Sequence, residues 1–427
     1  MDVLIKDALI LTQDARREIV RGDILVQDGK ISKIAKSIRA DADEKIDAKG
    51  KLAFPGLVNA HTHIPMSLFR GYAEGMVLHD WLEKKIWPAE AKLKPRHIRA
   101  GSMLSILEMV RSGTTCFNEM YIAHMDEVCR AVLETGIRAS VGHGLFDLVK
   151  KTDAKDELKN GTSLVEKWSG KSPLLNISMA PHAPYTCSEE LILLAKGHAR
   201  KKSLKFHMHI SETRKEVFDS LREKGKRPVE YLHSLGVLDE NTVLAHGSWV
   251  TKRESALAGK AGASISHNPV ANLKLATGGI CPLHEYLEAG ANIALGTDGT
   301  ASNNCHNMLE TMKFAQLMQS HLYWDPLRVS IQNVWDFATM NGAKALGFNA
   351  GSIAPGKEAD IVLADLRSSN LAPLHDARNL LFSMHPGNIT DVLIAGKPIL
   401  REGKFTELDE QKIIGEAQEA AEDLVSP

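Results

Sequence analysis

Cysteine is scarce in this sequence and never paired: Cys116, Cys129, Cys187, Cys281 and Cys305 are 5 among 427 residues, widely spaced, with no Cys-x-x-Cys. An odd, scattered set excludes a disulfide framework and a thiolate zinc site, and it fits a reducing cytoplasm. Also missing is any run of roughly 18 uncharged apolar residues, so no membrane span is expected. Asp2, Lys6 and Asp7 interrupt the first residues, where a secretory leader needs an unbroken apolar stretch. Neither sign of charge dominates: 52 Lys and Arg stand against 53 Asp and Glu, for a net charge of -1. The short basic stretches Lys201-Lys202 and Arg222 to Arg227 sit among acidic residues and read as solvated helix faces, so neither a nucleic acid nor a membrane is expected as partner. Familiar motifs fail as well. Gly170-Lys171-Ser172 has no glycine at position 165 to make a phosphate loop, and His284-Glu285 lacks the second histidine of a zincin helix. Without Cys-x-x-Cys the cytidine-deaminase kind of zinc site is excluded too.

What is present is ordinary globular material, 44% hydrophobic and 25% charged, long enough for a (β/α)8 barrel of roughly 250 residues with appended segments. The first segment reads as short strands and turns: Val3 to Leu11, Ile24 to Gln27, a turn at Asp28-Gly29-Lys30, then Ile31 to Ile34. That pattern returns late. Gly351 to Asp360 leads into Ile361 to Leu363, and Asp391 to Ile394, Ala395-Gly396-Lys397 and Pro398 to Leu400 again read strand, turn, strand. Both termini, 1–53 and 350–427, are therefore assigned to one small β-sandwich domain with a C-terminal helix, around a barrel over 54–349.

Inside that barrel segment, apolar runs of strand length recur: Phe54 to Ala60, Thr114 to Phe117, Ile137 to Val141, Leu174 to Ala180, Lys205 to Ile210, Thr242 to Ala245, Ala263 to Ser266 and Asn292 to Leu295. Stretches of helical period separate them. Met103, Ile106, Leu107 and Val110 follow i, i+3, i+4, i+7 spacing, and Gly113 stands where a helix would end. Strands alternating with helices predict a parallel barrel, with a doubly wound open sheet as the structural alternative.

Ionisable residues gather at the ends of those runs. His61 and His63 are two apart at the end of a strand, so the period of two points both to one face. His209 closes another run with Glu212 just beyond it; His207 has the same parity, so spacing alone allows either imidazole as a ligand. His246 and Asp298 each follow an apolar strand directly. In a parallel barrel such strand ends form the active-site face, and four of them carrying metal-type residues point to one chelating site. Three imidazole nitrogens and one carboxylate oxygen suit zinc or ferrous iron better than calcium or magnesium.

The ordered set Pro55-Gly56 to His63, His209 to Glu212, His246 and Gly296-Thr297-Asp298-Gly299 resembles the amidohydrolase superfamily over essentially the whole chain. Trp81-Leu82 through Ile86-Trp87-Pro88-Ala89-Glu90, Pro181-His182-Ala183-Pro184-Tyr185, Ser266-His267-Asn268-Pro269 with Asn272-Leu273-Lys274, and Ala301-Ser302-Asn303-Asn304 resemble its methylthioadenosine/S-adenosylhomocysteine deaminase branch, including the archaeal 5'-deoxyadenosine deaminases. The resemblance implies one divalent metal held by His61, His63, His209 and Asp298, with Glu212, His246 and Asp298 handling protons. It implies Glu90 on the ribose hydroxyls and His182 on the nucleoside, and a homotetramer. Binuclear relatives carry a bridging lysine at the fourth strand, whereas Asn176 to Tyr185 contains none. The implied reaction is hydrolytic deamination of adenine nucleosides such as 5'-deoxyadenosine, 5'-methylthioadenosine, S-adenosylhomocysteine or adenosine. The alternatives are a related enzyme acting on a guanine- or triazine-type ring, and a silent scaffold, which would be expected to have lost ligands. The resemblance implies an arginine, in relatives that favour S-adenosylhomocysteine, where this chain has His143; Lys150, Lys151 or Lys155 is a candidate substitute for it.

Overall fold

The computed structural model describes residues 1–425, with no side-chain detail at 78 and 79. Eight strands form one parallel, nearly closed barrel: Leu57–Thr62, Thr114–Tyr121, Arg138–Leu145, Leu175–Pro181, Lys205–Ile210, Thr242–His246, Ser264–His267 and Asn292–Leu295. Helices lie between successive strands, as parallel pairing requires, because the chain must return to the same edge before each new strand. The first and last strands are joined by a side chain: Asn59 Oδ1 accepts from Thr297 N at 2.9 Å, and Asn59 Nδ2 donates to Thr297 Oγ1 at 2.7 Å. Beside that bridge, Asp298 N donates to His61 O at 3.0 Å. This closure decides the architecture against the open sheet and brings the first and eighth strand ends together.

The expected terminal β-domain is a nine-stranded sheet in which Ile361–Asp365 pairs antiparallel with Lys51–Pro55, so both termini share one sheet. Val3, Ile5, Ile24 and Ile46 pack in the same core as Ile361, Leu363 and Leu393. One sequence reading changes here. The run Phe54 to Ala60 reads as a single strand, but Phe54 and Pro55 belong to the outer sheet and Leu57 begins the barrel. Gly56 makes the transition because nothing larger fits: a Cβ there would lie 2.0 Å from Thr115 Oγ1.

The helix Pro95–Arg111 buries Met103, Ile106, Leu107 and Val110 along one stripe, and Gly113 follows it with φ of 82°. The C-terminal helix Glu410–Val425 packs on this barrel helix: Asp423 meets His97 Nε2 at 2.9 Å and Glu410 meets Arg111 Nε at 2.5 Å. Among the described residues no helix is long and apolar enough to cross a membrane.

Candidate metal centre and active site

Each imidazole in the barrel mouth is aimed by a hydrogen bond at its far nitrogen. His63 Nδ1 lies 2.5 Å from Met120 O, and His209 Nδ1 lies 2.9 Å from His182 O. A carbonyl oxygen can only accept, so both rings carry their proton on Nδ1 and present bare Nε2 lone pairs. Those two Nε2 atoms face each other at 3.2 Å. Two lone pairs cannot satisfy one another; a cation between them can. His61 Nε2 is buried with no hydrogen-bond partner and lies 3.5 Å from Asp298 Oδ1, which is 3.2 Å from His63 Nε2. Donor atoms of His61, His63 and Asp298 all fall within 4.8 Å of one another, as do those of His61, His209 and His246. Imidazole nitrogens with one carboxylate oxygen are a donor set for zinc or ferrous iron, and the orphaned, converging nitrogens fit such an ion.

Electrostatics agrees. Burial opposes a charge on His63, yet the hydrogen bond and field of Asp298 raise it to about 9. Asp298 is held well below the usual carboxylate range; burial alone would raise it, but His61 and His63 pull it down. His61 is pushed down to about 3, chiefly by burial. Beside Asp298 the site therefore favours one positive charge: a proton on His63 Nε2, or an ion that takes the proton's place and leaves that nitrogen bare. The backbone is strained around it: His246 has φ of 73° and Asp298 of 65°, positive values that ordinary residues rarely adopt. Gly296 sits where the wall is tightest, since a Cβ there would come 2.9 Å from His61 Cβ.

A cavity of about 420 Å³ opens from this cluster, lined by His63, His182, His209, Glu212, His246 and Asp298 at one end and by Glu90, Tyr121, Phe146, Val149 and Lys150 among others elsewhere. Seven of the eight residues singled out from the sequence line it, and the eighth, His61, packs edge-on against His63 and His209 with ring centroids 4.8 and 4.7 Å away. Glu212 Oε2 lies 3.8 Å from His246 Nε2. Burial raises the Glu212 carboxyl above its usual range against the pull of His246. Glu90 is likewise raised to about 7 by burial. His182 is pushed down to about 3, mainly by burial, and its Nδ1 meets Thr186 Oγ1 at 3.0 Å.

His207 stands behind the cluster, its Nε2 2.9 Å from His61 Nδ1, so of the two imidazoles open by spacing it is His209 that faces His63. His143 does not occupy the place expected of it. Gly144 lines the cavity, and a Cβ on Gly142 would meet Ala180 Cβ and Ser178 Oγ, so alternation turns the side chain of His143 to the opposite face of its strand. Of the three lysines considered with it, Lys150 lines the cavity, and Lys151 and Lys155 do not.

Three further residues escaped the sequence reading. Tyr121 Oη donates to Glu90 Oε1 at 2.7 Å; it closes a strand whose apolar signal stops at Phe117. Glu119 accepts from Thr62 Oγ1 at 2.6 Å and Ile64 N at 2.9 Å, fixing the chain on either side of His63. Glu216 accepts from the backbone N–H groups of Ser211 and Glu212, both at 2.8 Å, and so holds the turn that presents Glu212. Only the acidic residue four positions after Glu212 could have hinted at this.

Residues 52–399 match the model of the amidohydrolase family. The chain belongs to that family. It is similar to the 5'-deoxyadenosine deaminase of Methanosarcina mazei, with 40% identity over 428 residues covering 100% of this chain and 99% of the relative. It is also similar to the 5-methylthioadenosine/S-adenosylhomocysteine deaminase of Pyrococcus furiosus, with 40% identity covering 96% and 98%. Among solved structures, an adenosine deaminase from Xanthomonas campestris with bound zinc superposes with a TM-score of 0.96 at 32% identity, covering 100% of this chain and 99% of that one. This amidohydrolase therefore shares its full length, not only its barrel, with deaminases of adenine nucleosides.

Proposed function

We propose that this amidohydrolase hydrolytically deaminates 5'-substituted adenine nucleosides, converting the adenine ring to hypoxanthine with release of ammonia. The observation that carries the reading is the convergence, at one cavity, of the facing His63 and His209 Nε2 atoms, the unpartnered His61 Nε2 behind them, the Asp298 carboxylate, and a buried Glu212 whose carboxyl is raised toward its acid form. His61, His63, His209 and Asp298 would hold one divalent ion, for which zinc is proposed. Such an ion supplies Lewis acidity that makes water a nucleophile near neutral pH.

The rest of the chemistry falls to the chain. Attack of water at C6 needs a proton delivered to ring N1, and Glu212, whose carboxyl burial shifts toward its acid form, is the donor. Asp298, with His246, takes up the proton that water gives away and passes it to the amino group, which leaves as ammonia when the C6–N bond breaks, and the proton left on the new C6 oxygen returns to Glu212 as the ring carbonyl forms. Elsewhere in the cavity lining Glu90, fixed by Tyr121, accepts from the ribose hydroxyls, while His182 stands beside His209 with ring centroids 4.6 Å apart and contacts the base. Apolar walls including Trp81, Ile86 and Leu275 exclude water from the ring.

The same proposal takes the enzyme to be cytoplasmic and homotetrameric. Free thiols at all five cysteines support the first, and exposed Trp324 and Leu327 support an assembly. The test is a panel of 5'-deoxyadenosine, 5'-methylthioadenosine, S-adenosylhomocysteine, adenosine, guanine and a chlorotriazine, followed by absorbance and ammonia release. Turnover of the nucleosides supports the proposal; turnover of guanine or triazine alone overturns it in favour of a related heterocycle hydrolase.

A further inference from the structure

The three imidazoles facing the ion site are supported unequally. His63 and His209 give their Nδ1 protons to main-chain carbonyls, which the fold itself supplies. His61 lies deeper, within the strand Leu57–Thr62, where neighbouring carbonyls are committed along the sheet and a ring nitrogen directed into the barrel must meet a side chain. The side chain it meets is His207, whose Nε2 is 2.9 Å from His61 Nδ1, the rings edge to face at 82°.

We propose that His207 is a positioning residue of the metal centre, accepting the His61 Nδ1 proton so that His61 Nε2 is left bare toward the ion. The inference rests on the metal-centre reading above and goes beyond it. His207 is fully buried, and its other nitrogen, Nδ1, has no hydrogen-bond partner. Barrel interiors are ordinarily filled by branched apolar side chains, and a buried imidazole with half its polar capacity unmet is a poor filler. Its contact with His61 is what accounts for a histidine at this place. The contact also has a direction. An imidazole, unlike a carbonyl, can donate or accept; if His207 Nε2 carried the proton, His61 would accept it at Nδ1, its own proton would move to Nε2, and the lone pair would be lost to the ion. His207 in its Nδ1–H form holds His61 in the binding tautomer, the role that the partners of ligating histidines play generally.

The experiment measures zinc affinity of the metal-stripped full-length protein by competition with a chromogenic chelator. His207→Leu removes the acceptor. His207→Gln puts an amide oxygen where Nε2 lies, whereas His207→Asn puts its polar atoms only where Nδ1 lies. Zinc is expected to bind about 10- to 100-fold more weakly to the Leu and Asn variants, and the Gln variant to stay within about fivefold of the parent on the same scale. Should the Leu variant not fold, the contrast between Gln and Asn decides alone. Parental zinc affinity in the Leu or Asn variant, or equal losses in Gln and Asn, overturns the assignment of His207. If the parent itself binds no zinc, the metal-centre reading fails, and the inference with it.

Discussion

The two ends of the barrel treat buried polar groups in opposite ways. At the end where strands begin, Arg138 is buried and its guanidinium is met on every side: Asp360 at 2.9 and 3.0 Å, Glu358 at 3.2 Å, Pro173 O at 3.2 Å, and the Phe348 ring 5.3 Å away. Lys196 nearby donates to Asp239 at 2.7 Å and Thr242 Oγ1 at 2.8 Å. At the end where strands finish, His61 Nε2 has no partner, two imidazole lone pairs face each other, and Ser211, His246 and Asp298 all hold positive φ. Pairing of these buried cations at one end serves stability. Unmet groups and strain at the other persist because their partner is not protein.

Breaking the open end should have the largest effect. The parent is expected to retain about one divalent ion per chain, and a His61→Ala, His63→Ala double variant essentially none, since two of the four proposed ligands are gone. Elemental analysis after dialysis checks this, and full retention in the variant would refute the site. Next in size is Glu212→Gln. An amide cannot carry the proton, so turnover should fall by about 10²- to 10⁴-fold with metal content unchanged; steady-state kinetics near the parental rate would remove Glu212 from the mechanism. Breaking the paired end should act on stability alone. Arg138→Ala leaves Asp360 buried without its cation and should cost about 3–5 kcal/mol by denaturant titration, while metal content at moderate temperature stays parental.

A smaller, pH-dependent effect separates the two ends further. Burial raises Glu216 from its ordinary value near 4.5 to about 7, against the two N–H bonds that it accepts. The folded state then binds a proton more tightly than the unfolded state, so this contribution is full below about pH 4.5 and is lost as pH rises through 7. Its size is at most about 3 kcal/mol. Glu216→Gln should flatten the fall in melting temperature between those values, and an unchanged slope would show that the carboxyl is ionised throughout.

Strand ends were legible because chemistry and geometry coincide there: an imidazole or carboxylate after an apolar run shows both the strand and its exit. His61, His63, His209, His246 and Asp298 were found that way. Glu90 lies on a helix away from the strands, and His182, although it directly follows the strand Leu175–Pro181, was indicated only by the family likeness. Tyr121 and Glu119 stayed hidden because their roles are bonds to distant parts of the chain, which local spacing does not encode, and Glu216 because its bonds go to backbone N–H groups, which no residue pattern marks. His143 was misplaced for want of parity: the residues at 142 and 144 are glycines, whose inward placement leaves no side-chain alternation to read. Gly56 was absorbed into one apparent strand because both sheets it joins are apolar there.

The smallest expected effect concerns the 5' substituent. Lys150 is the lysine that lines the cavity, and it is already engaged: Glu157 Oε1 lies 2.9 Å from its Nζ, and the ammonium sits 4.5 Å from the centre of the Phe146 ring. Glu157 is itself buried and also accepts from Phe146 N at 3.2 Å and Asn160 Nδ2 at 3.1 Å, so the pair is held in place. A carboxylate tail on the nucleoside would meet a lysine whose charge is neutralised, not a free cation, and Val149 and Phe146 beside it favour an uncharged group. 5'-Deoxyadenosine or 5'-methylthioadenosine should therefore match or exceed S-adenosylhomocysteine in kcat/KM. Glu157→Gln, which frees Lys150, should move that ratio toward the anionic substrate by less than about tenfold, the size of one solvent-screened charge contact at the Lys150 ammonium. His143→Arg should leave the ratio where it was, because position 143 turns away from the cavity. A parental preference of about tenfold or more for S-adenosylhomocysteine, equivalent to about 1.4 kcal/mol, would mean that Lys150 leaves Glu157 for the substrate and that the pairing seen here does not govern specificity.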